Sequence, residues 1–311
     1  MRHLIIDTDG GSDDIFAIAL ACQTTDCQVD LISCVQGNVT VKQARQNIYS
    51  LLNKLGKADI PIYLGSDRPL LAERKLCLDA HGEDGLSGKG EPVQDFEISK
   101  HAAILLIERL KETEPCEIIA LGPLTNLAIA SLIDPPAFSS IQHLYVMGGA
   151  GFGSGNISPV AEYNLWQDAI AAKIVLSSGV PITFICWDAC CGESMLSQQD
   201  LEQLRNTGPL AEYLIDCNES LIHFNEKRFG TKCLDLADPA AVAVALCPEC
   251  RDHYEEYFCD IEISSGPYHG ALIIDQRKWK KQIANAYICT KLKSKVFKNY
   301  MVKTLKGNPS L

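Results

Sequence analysis

The chain has 311 residues, of which 47% are hydrophobic and 22% are charged, and its formal net charge is −11 at pH 7. This composition is typical of a globular protein with a substantial core. The acidic charge disfavours nucleic acid as a partner, because phosphate backbones are bound by clustered Lys and Arg. No apolar stretch approaches the length of a membrane span and no signal-peptide pattern opens the chain, so we expect no membrane partner and a cytoplasmic location.

The first predicted strand, at residues 4–6, leads directly into four carboxylates between residues 7 and 14, and a helical run follows at 15–21. In an open parallel α/β sheet, ligands bind beyond the carboxyl ends of the strands, which is where these acids would lie. One acid or Ser12 can cap the helix. Four crowded like charges, however, need a cation or a shared proton, and oxygen-rich clusters select hard ions such as Ca²⁺ or Mg²⁺. The stretch therefore predicts a metal or catalytic site.

The next segments continue the alternation of strand and helix. A strand over 29–36 ends in Gly37-Asn38, a helix is predicted over 40–55, and a short strand over 61–65 follows. This βαβαβ order predicts a mostly parallel sheet with right-handed crossovers.

A polar, weakly periodic stretch over residues 66–99 contains His81. A loop of that length in a compact domain is usually functional or mobile, so we interpret it as a candidate lid. Beyond it, the pattern predicts a helix from Ser99, a strand over 117–121, and a turn at 122–126 that opens another helix.

A Gly-rich run at residues 148–155 follows a predicted strand at 143–147. It has neither a dinucleotide-binding Gly spacing nor a Lys-Ser/Thr ending, which disfavours nucleotide phosphate. Asn156 and the sequence Glu162-Tyr163-Asn164 come next, with donors and acceptors that match the hydroxyls of a sugar.

The remaining chain alternates in the same way. Helices are predicted at 169–177, 197–205, 209–224 and 240–246, and a strand at 181–185. Trp187 follows that strand and is a candidate for stacking on a base. The connection after the helix at 209–224 holds residues suited to covering an aromatic ligand, namely His223, Phe224, Asn225, Arg228 and Phe229.

Alternating segments at 258–263, 270–274 and 283–289 predict an antiparallel edge, and a terminal helix is expected from Lys293. With no internal repeat and no linker, we predict a single domain over residues 1–311. Its expected fold is α/β, with a mostly parallel, Rossmann-like open sheet flanked by helices and a small antiparallel extension.

Fourteen cysteines are scattered, most of them in apolar runs. Cys247 and Cys250 form the only C-x-x-C, with no second pair at zinc-ribbon spacing. Reduced core thiols are therefore the preferred interpretation. A redox role for the pair is the lesser alternative, because it follows a helix-like run instead of opening one.

Together, these residues resemble the fingerprint of the nucleoside hydrolases, ribonucleoside N-glycosidases that hold Ca²⁺ at the carboxyl ends of the strands. The acidic motif at 7–14 matches the family's N-terminal fingerprint. Further matches follow in the family's order and at its approximate spacing: Gly37-Asn38, His81-Gly82, 121–126, 147–149, Asn156, 161–164 and Asp238-Pro239. They cover most of residues 1–250.

The resemblance implies a role for each matching position. Asp9, Asp14 and Asp238, with the backbone carbonyl of Leu121, would ligate Ca²⁺. Asp9 would also be the general base that takes a proton from the metal-bound water. The substrate-binding residues would include Asp13 and Asn164 at the 2′ and 3′ hydroxyls, Asn156 and Glu162 at the 5′-hydroxyl, and Asn38 near the water and the ribose. His81 and Asp238 would also bind the substrate.

The implied reaction is hydrolysis of a ribonucleoside to free base and ribose, by direct water displacement as in inverting glycosidases. Positive charge develops on the ribose carbon, so surrounding carboxylates stabilise the transition state more than the ground state. By analogy with the family, we also expect a homodimer or homotetramer.

Two positions depart from the family's pattern. Gly10 stands where the motif commonly has Pro, which we expect to loosen the loop. Ala237 stands where members often place a His, to protonate the leaving base, or a Trp. Leaving-group activation must therefore come from elsewhere. The candidates are His81, His223, or an aromatic stack from Trp187, Phe224 or Phe229.

Two other functions fit part of the sequence pattern. A phosphohydrolase of the haloacid dehalogenase type also has two aspartates separated by one residue after its first strand, as Asp7 and Asp9 are here, but Gly11 and the lack of a suitably placed Lys disfavour it. A non-catalytic protein that binds ribose and Ca²⁺ is the other alternative, because Ala237 removes the expected acid.

Overall fold

The computed structural model describes residues 1–73, 75–94, 100–112, 114–280 and 282–306. Its strands are β1 Arg2–Thr8, β2 Cys27–Cys34, β3 Ile62–Leu64, β4 Cys116–Ala120, β5 His143–Met147, β6 Ile182–Ile185, β7 Leu196–Ser197, β8 Cys233–Leu234, β9 Arg251–Tyr257, β10 Cys259–Ile261, β11 Leu272–Ile274 and β12 Ala286–Leu292.

The helices alternate with these strands along most of the chain. They are α1 Ser12–Gln23, α2 Val41–Lys54, α3 Leu78–His81, α4 Ala102–Leu110, α5 Thr125–Ile133, α6 Pro135–Phe138, α7 Tyr163–Gln167, α8 Ala169–Leu176, α9 Gln198–Arg205, α10 Pro209–Cys217, α11 Glu219–Phe229, α12 Ala237–Leu246 and α13 Ser294–Leu305. Among the helices described, none combines the length and the apolar character needed to cross a bilayer.

Eight strands form the central sheet in the order β3-β2-β1-β4-β5-β6-β12-β9. Every neighbouring pair is parallel except β12 and β9. β10 and β11 form a small antiparallel sheet beside it. The predicted α/β fold is confirmed, and the strand order reverses between β1 and β4, the position at which open α/β sheets bind ligands.

Side chains of the central strands alternate between two apolar layers, as the pleat requires. On β1, Leu4 and Ile6 pack with α1, α2 and α12 on one face, whereas Ile5 packs with α4, α5 and α8 on the other. Because both faces are covered, the strands are nearly continuous apolar runs.

Several boundaries differ from the predictions. α1 begins at Ser12, so Asp13 and Asp14 lie in its first turn and not in a loop. The helix predicted at 209–224 divides at Asn218, and its second part continues to Phe229 through residues expected to form a connection. Ser99 lies outside the described residues.

The C-terminal region was predicted only in part. The antiparallel edge is present, but its outer strand is β9, which was not predicted, and β12 pairs parallel to β6 on its other side. The fourteen cysteines all carry free thiols, as the composition suggested, and Cys247 and Cys250 are among them.

Candidate active site

The acidic motif closes around the first turn of α1. The Asp14 carboxylate accepts hydrogen bonds from the backbone N–H groups of Gly11 (N···Oδ2 2.8 Å) and Asp9 (N···Oδ1 3.2 Å), and from the Thr8 hydroxyl. A carboxylate in this position stabilises a helix N-terminus by satisfying its free N–H groups. Asp14 is therefore fixed in place by the backbone that it organises.

Asp7 has a different role, although it belongs to the same motif. Its Oδ1 accepts from Asn126 Nδ2 at 2.8 Å and from the Ser33 hydroxyl, which links β1 to β2 and to α5. Asp7 thus supports the sheet, and three of the four acids remain for the site.

Two glycines set the shape of this loop. Gly10 has a φ of +71°, and a Cβ there would lie 2.4 Å from the Cα of Ala44. Proline cannot adopt that φ. Gly10 lets the loop pack tightly onto α2, so the expectation that it loosens the loop was wrong. At Gly37 a Cβ would lie 1.9 Å from Asp9 Oδ2, so only glycine lets the segment after β2 approach the acid this closely.

Three buried carboxylates, from Asp13, Asp14 and Asp238, each offer an oxygen within 4.8 Å of the other two. Burial, and then the neighbouring carboxylates, raise the pKa of Asp13 and Asp238 well above the usual range. Such a cluster of oxygen ligands fits a hard divalent cation, whose charge would offset the repulsion.

Asp9 lies beside this cluster, and burial together with the Asp14 charge raises its pKa as well. Its carboxylate is oriented by Asn38, whose backbone N–H donates to Oδ2 (2.7 Å) and whose side-chain amide donates to Oδ1 (3.2 Å). Asp9 rather than Asp13 was predicted as a metal ligand, whereas the compact group of three contains Asp13. Of these two acids, Asp13 lines the cavity described below and Asp9 does not.

The carboxyl ends of β4 and β5 supply a second wall. The Asn164 side-chain amide donates to the backbone carbonyl of Leu121 (2.8 Å) and to that of Met147 (3.2 Å). The Glu162 carboxylate accepts hydrogen bonds from the N–H groups of Asn164 (2.7 Å) and Gly149 (3.1 Å). Glu162 thereby caps the N-terminus of α7. Burial raises the pKa of Glu162 to about 7 despite these bonds.

One cavity joins these groups at the switch point of the sheet. Its lining includes eight of the predicted site residues: Asp13, Asn38, His81, Leu121, Asn156, Glu162, Asn164 and Asp238. Asp9 and Asp14 lie beneath that lining, held by the contacts given above. A larger depression lies at the opposite ends of the strands, around His3, Asp30 and Arg109, and holds none of these residues.

His81 reaches the cavity from α3, within the predicted lid. Its Nδ1 lies 2.9 Å from the Ser12 hydroxyl and 3.8 Å from Asp13 Oδ1. Burial lowers the pKa of His81 to about 4. The imidazole is therefore neutral near pH 7 and is suited to hydrogen bonding more than to supplying a proton.

The other end of the cavity is more apolar, and only part of the predicted set reaches it. Trp187 and Phe224 line it. His223 instead faces a separate surface depression and contacts the Glu219 carbonyl at 2.9 Å, and Phe229 is 44% exposed outside the cavity.

Helical periodicity explains which of these predicted residues reach the cavity. Because residues 219–229 form α11, the side chains that share its inner face are three or four positions apart: Leu221, Phe224 and Arg228 line the cavity. His223 and Phe229 fall on other faces. These residues were predicted to form an irregular connection, which does not indicate which side chains face the cavity.

A family model described as inosine-uridine preferring nucleoside hydrolase matches residues 4–299. The chain belongs to this nucleoside hydrolase family. The pyrimidine-specific ribonucleoside hydrolase RihA of Shewanella baltica is 30% identical over 309 residues, covering 98% of this chain and 96% of that protein.

Solved structures agree with this membership. The plant nucleoside hydrolase PpNRh1 superimposes with a TM-score of 0.90 at 26% identity, covering 99% of both chains. An inosine-guanosine nucleoside hydrolase gives a TM-score of 0.88 at 29% identity, over 98% of this chain and 99% of that one. The resemblance and the N-glycosidase class are thus confirmed, and they replace the haloacid dehalogenase alternative.

In this nucleoside hydrolase, Asp235 is a cavity residue that was not predicted from the sequence. It lies two residues before α12, is 2% exposed and lines the cavity. The available signal was an acid between two leucines, Leu234 and Leu236, at the end of a short strand. A charged residue in such an apolar setting is buried at a cost and usually has a partner or a function.

Proposed function

We propose that this protein hydrolyses the N-glycosidic bond of ribonucleosides to free base and ribose in a Ca²⁺-dependent reaction, with Asp9 as the general base. The observation that supports this most is the buried group of carboxylates at the switch point, which opens into a cavity lined with hydroxyl-matching side chains. Asp9, Asp14, Asp238 and the Leu121 carbonyl are the proposed ligands. Bound Ca²⁺ would supply positive charge that orients a diol and acidifies water.

Asp9 is suited to accept the proton of the attacking water. Asn38 donates to both of its oxygens, which fixes the orientation of the carboxylate without neutralising it. A base held in this way contributes by positioning as well as by proton affinity. Water would attack one face of the sugar directly, and the ribose would be released with inverted configuration.

The ribose hydroxyls meet acceptors and donors on two walls. Asp13 and Asn164 are proposed for the 2′ and 3′ hydroxyls, and Asn156 and Glu162 for the 5′-hydroxyl. As the bond to the base breaks, positive charge develops on the ribose carbon, and nearby carboxylates stabilise that state preferentially. The acidic wall is therefore both the binding surface for the sugar and the source of transition-state stabilisation.

The base would occupy the apolar end of the cavity. Trp187 and Phe224 offer aromatic surface for stacking, and neutral His81 offers a hydrogen bond. The relatives compared above are named for different bases, pyrimidines in one case and inosine and guanosine in another. The walls described here suit a planar heterocycle of either class.

A product assay tests the proposal. Inosine, adenosine, guanosine, uridine and cytidine are incubated with the protein, and free base and free ribose are measured separately. We expect both products in equal amounts from at least one nucleoside. Tight nucleoside binding with no release of either product would instead favour the non-catalytic alternative. If none of the five nucleosides is either bound or cleaved, both functions are refuted.

We also propose that residues 1–311 form a single domain, of which 74, 95–99, 113, 281 and 307–311 lie outside the described residues. The pairing of β12 with β6 supports this, because it joins the C-terminal region to the central sheet. The homodimeric or homotetrameric assembly and the cytoplasmic location stay predictions.

A further inference from the structure

The leaving base must gain a proton when its bond to ribose breaks, and the proposed site lacks an obvious source. Ala237, at the start of α12, has no proton to give. His81 is neutral near pH 7, because burial lowers its pKa to about 4. The Tyr163 hydroxyl also lies at the cavity, but it donates to the Lys75 carbonyl. A different acid is needed at the apolar end.

Asp235 is located there and is only half satisfied by the protein. Its Oδ1 accepts a hydrogen bond of 2.6 Å from Asn225 Nδ2 on α11. Its Oδ2 is buried and has no partner among the described residues. A buried oxygen without a partner is costly, so an unpartnered carboxyl oxygen at a ligand cavity points to a contact that a ligand completes.

The hydrogen bonds around Asn225 decide which oxygen carries a proton. Asn225 Nδ2 also donates to the backbone carbonyl of Cys233 (3.3 Å), and this contact fixes which end of the amide faces Asp235. With Oδ1 serving as an acceptor, a proton on Asp235 lies on Oδ2. The oxygen that would hold the proton is thus the one that the protein leaves without a partner.

We propose that Asp235 is the general acid that protonates the leaving base, a catalytic residue that takes the place of the side chain absent at Ala237. This inference rests on the proposed function. The N-glycosidic bond breaks with its electron pair moving to the base, and the base takes the Oδ2 proton. Water gives hydroxide to the ribose carbon and its second proton to Asp9. Solvent then returns a proton to Asp235 and removes one from Asp9.

The surroundings of Asp235 favour its protonated form. Burial raises its pKa to about 6, although the Asn225 bond and the Arg228 charge act in the opposite direction. The titratable groups that interact with it come from several elements and are Asp13 on α1, Cys190 after β6, Arg228 on α11 and Cys233 on β8. Of these, only Arg228 favours the carboxylate.

The test compares two leaving groups in one variant. Asp235→Asn keeps an oxygen that can accept from Asn225 but has no acidic proton. Inosine and uridine need protonation of the leaving base, whereas 4-nitrophenyl β-D-ribofuranoside releases a stable phenolate. We expect kcat/KM for the nucleosides to fall roughly 10²-fold and that for the nitrophenyl riboside to stay within about twofold. Asp252→Asn, an exposed acid on β9, is the matched control and should change neither.

Each other result overturns the acid role. Equal losses on both substrates mean that Asp235 is structural, and unchanged nucleoside turnover means that it is not used. If Asp235→Asn does not fold, Asp235→Glu is used instead, because it keeps an acidic proton. The proposal predicts that Asp235→Glu retains nucleoside turnover. Loss of both nucleoside and nitrophenyl riboside turnover in Asp235→Glu would overturn the proposal. Wild-type protein that cleaves neither substrate refutes the proposed function itself.

A pH profile gives a second, independent measurement. Above a pH of about 6, the protonated fraction of Asp235 falls, so nucleoside kcat/KM should decline toward tenfold per pH unit on that side. The decline should be missing for the nitrophenyl riboside and for Asp235→Asn. A decline that persists in the variant assigns the titration to another group.

Discussion

The two ends of the cavity are built in opposite ways. At the ribose end, the side chains of Asp9, Asp14 and Glu162 are buried and are fixed by backbone N–H groups. At the base end, Trp187 and Phe224 present aromatic surface, and Asp235 keeps one oxygen without a partner among the described residues. The ribose end is held by backbone hydrogen bonds and is rich in carboxylates, whereas the base end is more apolar, with Asp235 and Arg228 as its charged residues.

This difference follows from the elements that carry each end. The ribose end is formed where β1, β2, β4 and β5 terminate, so neighbouring strands of the sheet fix its spacing. The base end is formed mainly by α3, α11 and the segment before α12, and Trp187 joins them from the segment that follows β6. Such a division separates the residues proposed for the sugar from those proposed for the base.

The largest effect is expected at the ribose end. Asp9→Asn removes the proposed base, so kcat/KM should fall by roughly 10³-fold, for nucleosides and for the nitrophenyl riboside alike. Steady-state kinetics on both substrates measure this. Asp7→Asn is the matched control two residues earlier, since its partners are Ser33 and Asn126, and it should keep turnover. Full activity in Asp9→Asn would contradict its assignment as the base.

Two histidines, one lining the cavity and one outside it, test how far the substrate site extends. His81→Ala should lower nucleoside kcat/KM by roughly 10-fold to 10²-fold, because a hydrogen bond at the cavity is lost. His223→Ala should stay within about twofold, because that side chain lies on an outer face of α11. Purified variants assayed with inosine and uridine give the comparison. Equal effects at the two positions would mean that the base reaches beyond the cavity described here.

The smallest effect is expected from the aromatic wall. Trp187→Ala should raise KM for nucleosides by about fivefold, since an aromatic contact of this kind contributes about 1 kcal/mol. The inhibition constant of free ribose should not change, because ribose has no base. Phe229→Ala, outside the cavity on α11, should leave both constants unaltered. Weaker ribose inhibition in Trp187→Ala would show that the two ends are not separable.

The ribose end was largely predictable from sequence because its signals are local. Apolar runs locate the strands, and polar residues directly after them, such as Asn38 and Asp9, must meet at one edge of a parallel sheet. Asn164 and Glu162 were likewise apparent within one short segment. Even here, the role of Gly10 was misjudged, because its positive φ and its contact with Ala44 exist only in the folded chain.

The base end was not predictable in the same way. Which residues of α11 face the cavity depends on the helix continuing to Phe229, and the sequence pattern did not indicate that continuation. The proposed role of Asp235 depends on its hydrogen bond with Asn225, which lies ten positions earlier and is brought close by packing. Contacts of this kind arise from tertiary structure, and no local period encodes them.

Metal dependence is the most direct test of the central claim, which is that the buried carboxylates form a working Ca²⁺ site. The protein is depleted of metal with a chelator, dialysed and titrated with Ca²⁺, while heat of binding and inosine or uridine turnover are recorded in parallel. We predict one saturable binding event, with turnover appearing in proportion to occupancy, and neither signal in Asp14→Asn. Full turnover by the depleted protein, with no binding of Ca²⁺, would contradict the account.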